Sequence, residues 1–179
     1  MFFSYFRPME NHVELGIDRL LQDSESYKHQ RIGLTCNIAS LTRNGLHSRI
    51  ALKEAGFNVA KLFAPEHGFD GQGEDGAFMD HQHDAATGIR IVSLYSKQLA
   101  PTAADLADID LMLIDLPDVG ARFYTYLWTM THVLESCAEQ GLPVLLLDRP
   151  NPMAQDLALA EGPILDPLCR SFIGRYPMP

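Results

Sequence analysis

The strongest constraint on this chain is the alternation of short apolar runs with helix-patterned stretches. Five runs read as strands: Arg31 to Cys36, Phe57 to Phe63, Ile89 to Tyr95, Ile109 to Asp115 and Pro143 to Asp148. Between them, Gly45 to Ala55 carries apolar residues at helical spacing and stops at Gly56. Thr102 is placed to cap a short helix running through Asp108, and Phe123 to Gln140 reads as a long helix closed by Gly141. The fourth run is apolar through its centre, which predicts burial on both faces. This order predicts an α/β layered fold with a mostly parallel five-stranded sheet and helices on both faces.

Size and charge narrow the partners. At 179 residues the chain suits one domain with a sizeable core. Val13, Ile17, Leu20 and Leu21 fall at helical spacing, so residues 1–30 read as an N-terminal helical segment ahead of a domain spanning 31–179. A net charge of −9 repels phosphate backbones and anionic lipid, which argues against nucleic acid and membrane surfaces as partners. No run approaches the roughly 20 apolar residues of a spanning helix. Cys36, Cys137 and Cys169 are widely separated and form no CxxC, so reduced cysteines are expected. Met1 to Pro8 lacks the layout of a signal peptide, so the expected compartment is the cytoplasm, or the periplasm if the true start lies upstream.

Ligands of parallel sheets bind beyond the carboxyl ends of the strands. The residues following each run therefore matter most: Asn37, then Glu66 and His67, then Tyr95, then Asp115, Asp118 and Arg122, then Asp148, Arg149 and Asn151. Turns favour Asp and Asn, but acids, arginines and a histidine converging on one edge have the composition of a catalytic crevice. Glu66 follows a buried strand, where partial desolvation favours the protonated form that a general acid needs. Asp115 or Asp118 offers the second carboxylate that glycoside hydrolysis requires. Arg122 and Arg149 suit a carboxylate or phosphate on a ligand, or pairing with Asp118 and Asp148. Tyr124, Tyr126 and Trp128 stand at the start of a helix, where such aromatics more often serve the core than a sugar face.

Two motifs are declined. Gly71-Gln-Gly-Glu-Asp-Gly76 matches GxGxxG but neither closes a strand nor opens a helix, and its carboxylates would repel a pyrophosphate. His81-Gln-His83-Asp84, with His67 in reach, has metal-ligand chemistry, yet lies in a long Gly- and Asp-rich connection rather than on rigid elements. No metal is expected.

Six blocks in order then carry a resemblance: Ala64-Pro65-Glu66-His67-Gly68, Ser93-Leu94-Tyr95, Asp118 to Tyr126, Leu147-Asp-Arg-Pro-Asn-Pro152, Glu161-Gly162-Pro163 and Ser171-Phe-Ile-Gly-Arg175. Together they resemble the exo-β-N-acetylmuramidase (NamZ-type) family of peptidoglycan recycling, from about Arg31 to Pro179. The resemblance implies a Rossmann-like catalytic domain and a cofactor-free glycoside hydrolase. Its partner would be a peptidoglycan-derived sugar or muropeptide, from whose non-reducing end it releases N-acetylmuramic acid. It assigns the catalytic acid to Glu66 and leaves the second group open between Asp118 and Asp115. The lactyl carboxylate would match Arg122 or Arg149. The N-acetyl group and hydroxyls would call on Asn37, His67, Tyr95, Tyr124, Tyr126, Asp148 and Asn151. Family members continue beyond Ser171-Phe-Ile-Gly-Arg-Tyr-Pro177 into a second domain, so part of the cleft is expected to be missing here. Leu116-Pro117 also replaces the Ile-Gln the family pattern suggests. The alternatives are a catalytically incomplete muropeptide-binding domain and a metal-dependent hydrolase using His67, His81 and His83.

Overall fold

The structure is a computed structural model and describes residues 13–66, 68, 82–95, 98–153 and 156–179. Its centre is a six-stranded sheet. Five strands are parallel: β1 (Arg31–Cys36), β2 (Asn58–Ala64), β4 (Arg90–Ser93), β5 (Leu111–Asp115) and β6 (Val144–Leu146). The sixth, β3 (Gln82–His83), pairs antiparallel with β4 at the edge. The strand order is β3-β4-β2-β1-β5-β6. Counting only the parallel strands, the chain winds outward in one direction from β1 and then in the other, the doubly wound arrangement, with its switch point between β1 and β5.

Alternation of side chains across the pleat builds two cores. On one face Ile32, Leu34 and Cys36 of β1, Leu62 of β2 and Leu111 and Leu113 of β5 meet Ile17 and Leu20 of α1 (Gly16–Gln22) and Leu52 of α2 (Ser48–Glu54). On the other, Phe63, Val92, Met112 and Ile114 meet Leu106 of α3 (Ala103–Leu106) and Tyr126, Val133 and Cys137 of α4 (Thr125–Glu139). Central β5 is buried along its whole length, as its apolar pattern predicts. β6, also apolar, is an edge strand, and Leu146 is half exposed.

Local chemistry accounts for the termini. Thr102 and Asp105 form a reciprocal capping box at α3, each side chain satisfying the other's backbone N–H. α3 ends at Leu106, two residues short of the expected Asp108, whose carboxylate instead pairs with the buried Lys61 ammonium. Gly16 has a different task. It donates its N–H to the Asp148 carbonyl at 2.8 Å, and a Cβ there would lie 2.4 Å from the Asp148 nitrogen. Only glycine lets α1 come this close to the chain leaving β6.

The strand reading from sequence is corrected at β3 and at several strand ends, among them the fifth run, which stops at Leu146 rather than Asp148. The long Gly- and Asp-rich connection contains β3, a two-residue element too short to show a period. The third run was read as Ile89 to Tyr95 but ends as a strand at Ser93, so Tyr95 stands clear of the ladder. Beyond β6, residues 156–179 hold only two three-residue 3-10 turns and an isolated bridge between Ser171 and Gly174. No helix among the described residues is long and apolar enough to cross a membrane.

Candidate active site

The carboxyl ends of β5 and β6 open on a crevice whose floor is charged. Asp115 ends β5 and has no exposed surface. Arg149, just past β6, grips it through both carboxylate oxygens, Nε to Oδ1 at 2.7 Å and an Nη to Oδ2 at 3.0 Å. The same guanidinium donates to the Leu41 carbonyl at 2.8 Å. Ser40 donates its hydroxyl to the Asp115 carbonyl. The loop leaving β1 is thereby tied to the ends of both β5 and β6. Arg149 thus pairs with Asp115 rather than with its neighbour Asp148, which is exposed.

Asn37 is buried in that loop. Its side-chain oxygen accepts from the Ala39 N–H at 3.1 Å, closing an Asx turn. Its carbonyl contacts His47 Nε2 at 2.8 Å. The Arg49 N–H donates to His47 Nδ1, so Nδ1 is bare and Nε2 carries the proton that Asn37 accepts. A neutral imidazole therefore caps α2 and holds the loop at once. Burial is the main cause that keeps it neutral, lowering its pKa, with Arg49 adding to the effect. Arg49 in turn pairs with buried Asp84 at 3.0 Å. Sequence reasoning missed Ser40 and His47, because a serine and a histidine on a polar loop carry no distinctive pattern.

The remaining candidates spread along the edge. Asp118 is half-buried and accepts from the Gly120 N–H at 3.1 Å. It shapes a turn but does not cap α4, whose N-cap is Tyr124. Tyr124 packs edge-on against Tyr126 with ring centroids 4.6 Å apart. Burial first, then Tyr126 and Asp118, raise the Tyr124 phenol above its ordinary value. Tyr126 and Trp128 are core residues, and the indole N–H donates to the Arg122 carbonyl. One Nη of Arg122 donates to the carbonyls of Pro163 and Met178 at 2.8 and 2.7 Å. A cavity of about 510 Å³ opens beside this group, lined by Asp118, Asp148, Arg149, Asn151, Glu14 and apolar neighbours.

Glu66 lies two residues beyond β2, two strands from β5 with β1 between, half-buried. Among the described residues it interacts with Tyr95, whose hydroxyl donates to its carboxylate. Burial and then that carboxylate raise the Tyr95 phenol. His67, His81 and the GxGxxG stretch lie outside the described residues. Among the described residues no group of three His, Cys, Asp or Glu side chains is placed to hold a metal.

A doubly wound α/β domain with an acid-lined cavity beyond the carboxyl ends of β5 and β6 is the class that fold and site define. The sequence profile described as "Exo-beta-N-acetylmuramidase NamZ, N-terminal" matches residues 32–179, and the chain belongs to that family. It is 40% identical over 169 residues to the peptidoglycan beta-N-acetylmuramidase NamZ of Bacillus subtilis (strain 168), covering 93% of this chain and 40% of that protein. Two crystal structures of DUF1343 family proteins from Bacteroides fragilis share the fold. One has a TM-score of 0.80 at 32% identity, covering 93% of this chain and 41% of the other. The second has a TM-score of 0.78 at 34% identity, covering 94% and 43%. The chain thus spans about two fifths of the length of these relatives.

Proposed function

We propose that this domain carries the catalytic acid of an exo-acting muramidase that frees N-acetylmuramic acid from the non-reducing end of peptidoglycan fragments. The observation that carries the reading is the seat of Glu66. It follows a parallel strand at the ligand-binding edge of the sheet, half-buried, its carboxyl aimed by a tyrosine, in a chain 40% identical to a peptidoglycan beta-N-acetylmuramidase. Glu66 protonates the glycosidic oxygen as the bond to the departing sugar breaks. Asp118 is the second carboxylate, acting as nucleophile or as the base that activates water. Asp115 is less suited, since it is fully buried and both its oxygens are held by Arg149. Asp115 positions Arg149, which lines the cavity and faces the lactyl carboxylate. Asn151, Asp148 and Tyr124 supply hydrogen bonds to hydroxyls and the N-acetyl group. This chemistry needs no cofactor.

The test is hydrolysis of a chromogenic β-N-acetylmuramide. Glu66→Gln removes the proton and keeps the shape, so turnover is expected to fall by about 10²–10⁴-fold. Unchanged turnover in that variant removes Glu66 from the mechanism. Calorimetric binding of N-acetylmuramic acid by a wild-type chain that does not hydrolyse would make the domain a sugar-binding module instead.

A further inference from the structure

The C-terminal segment has little regular structure, yet it is fastened at many points. Arg122 binds its backbone at Pro163 and Met178. Arg175 reaches Thr131 and Glu135 on α4, each at 2.5 Å, and the Tyr176 hydroxyl bonds the same glutamate. Between these fastenings, Ser171 and Gly174 exchange backbone hydrogen bonds at 3.0 and 3.1 Å. That closes a tight turn whose two tip residues are Phe172 and Ile173. Ile173 points to solvent, 43% exposed. Phe172 is half-buried and meets the Tyr95 ring, with centroids 5.3 Å apart and planes inclined at 53°. Such a tilted contact is a favourable aromatic arrangement and restricts both rings. Tyr95 lies past the end of β4, beyond the strand's ladder, with its N–H donating to Ser93 Oγ at 3.2 Å.

We infer that Phe172 is a positioning residue: the C-terminal segment carries its ring across α4 to brace Tyr95, and so fixes the hydroxyl that aims the Glu66 carboxyl. The inference rests on Glu66 being the catalytic acid only for its consequence in turnover, since the brace itself is a matter of geometry. An acid must meet the glycosidic oxygen within hydrogen-bond reach, and a displacement of about 1 Å is enough to slow a reaction strongly.

The test uses Phe172→Leu, which keeps apolar bulk at a half-exposed site while removing the ring, together with Phe172→Tyr and Tyr95→Phe. On the chromogenic muramide, Phe172→Leu is expected to lower kcat about three- to tenfold with KM nearly unchanged, the scale of one aromatic contact. Phe172→Tyr restores it. In a Tyr95→Phe background, Phe172→Leu has no further effect, because the group it acts through is gone. A second readout needs no turnover: ultraviolet titration of the phenols, with Tyr95 assigned by difference against Tyr95→Phe. The Tyr95 midpoint lies above the ordinary tyrosine value and is expected to fall toward it in Phe172→Leu and in Glu66→Gln. An unmoved Tyr95 midpoint in Phe172→Leu, or an equal loss of kcat in both backgrounds, overturns the inference. If the wild type does not turn over, the glycosidase reading falls on that result, and the titration alone decides the brace.

Discussion

Replacing Arg149 by Met tests the charged floor of the crevice. The thioether keeps much of the aliphatic stem and removes the guanidinium. What remains is the Asp115 carboxylate with no exposed surface, stripped of two hydrogen bonds at 2.7 and 3.0 Å. Removing one partner of a buried pair costs about 3–5 kcal/mol, because the survivor is an uncompensated buried charge. The exposed pair between Arg31 and Asp110 provides a control in the same molecule, its side chains 48% and 41% exposed. Arg31→Met should cost about 0–1 kcal/mol.

Urea unfolding followed by circular dichroism separates the two. With a slope of about 2 kcal/mol per molar, Arg149→Met lowers the midpoint by about 1.5–2.5 M, while Arg31→Met shifts it by under about 0.5 M. The double variant Asp115→Leu with Arg149→Met then recovers most of the loss, since nothing charged is left underneath. If Arg149→Met costs no more than Arg31→Met, or if the double variant is no better than the single, the pair is not the buried electrostatic unit described here.

Two further outcomes follow from the close packing and from His47. Gly16→Ala drives a Cβ to 2.4 Å from the Asp148 nitrogen and 2.6 Å from the Leu147 backbone, which no rotamer relieves; a loss of about 1–3 kcal/mol in the same urea assay is expected. The His47 pKa is lowered on folding, so the unfolded chain takes up the proton first as pH falls; its contribution is full above the unfolded value of about 6.5 and declines below it. Stability measured from pH 8 to 5 should fall over that window, and His47→Gln should flatten the slope.

The fold was legible because its evidence is periodic. β1 occupies the residues its apolar run marks, Arg31–Cys36, and central β5 shows burial on both faces. β3 was hidden because two residues cannot display a period, and its pairing is fixed by β4 rather than by its own sequence. The candidate site was legible as a set of strand ends, because the doubly wound topology brings carboxyl termini together whatever the loops contain. Its partnerships were not. Sequence adjacency suggested Arg149 with Asp148, but Asp148 is exposed, and the guanidinium crosses instead to Asp115 on the neighbouring strand. Arg122 suits an anion by its chemistry, yet one of its Nη atoms donates to carbonyls of a segment more than forty positions away. Such long-range satisfaction of polar groups leaves no trace in local spacing.

The balance of charge around the cavity sets the sign of a salt effect. Its lining holds three carboxylates, Glu14, Asp118 and Asp148, against one guanidinium, and that guanidinium is already matched by Asp115. The chain as a whole carries −9. A substrate with a lactyl carboxylate therefore approaches against the field, and its recognition depends on short-range hydrogen bonds at the end of that approach. Raising ionic strength from 0.01 to 0.15 M shortens the screening length from about 30 to about 8 Å and weakens the repulsion before contact. On this reasoning kcat/KM for the chromogenic muramide rises over that range, while the substrate esterified at the lactyl group is nearly insensitive to it. A fall in kcat/KM with salt for the free acid alone would mean that a guanidinium dominates the field after all, and would return Arg149 or Arg122 to the role of long-range anion receptor.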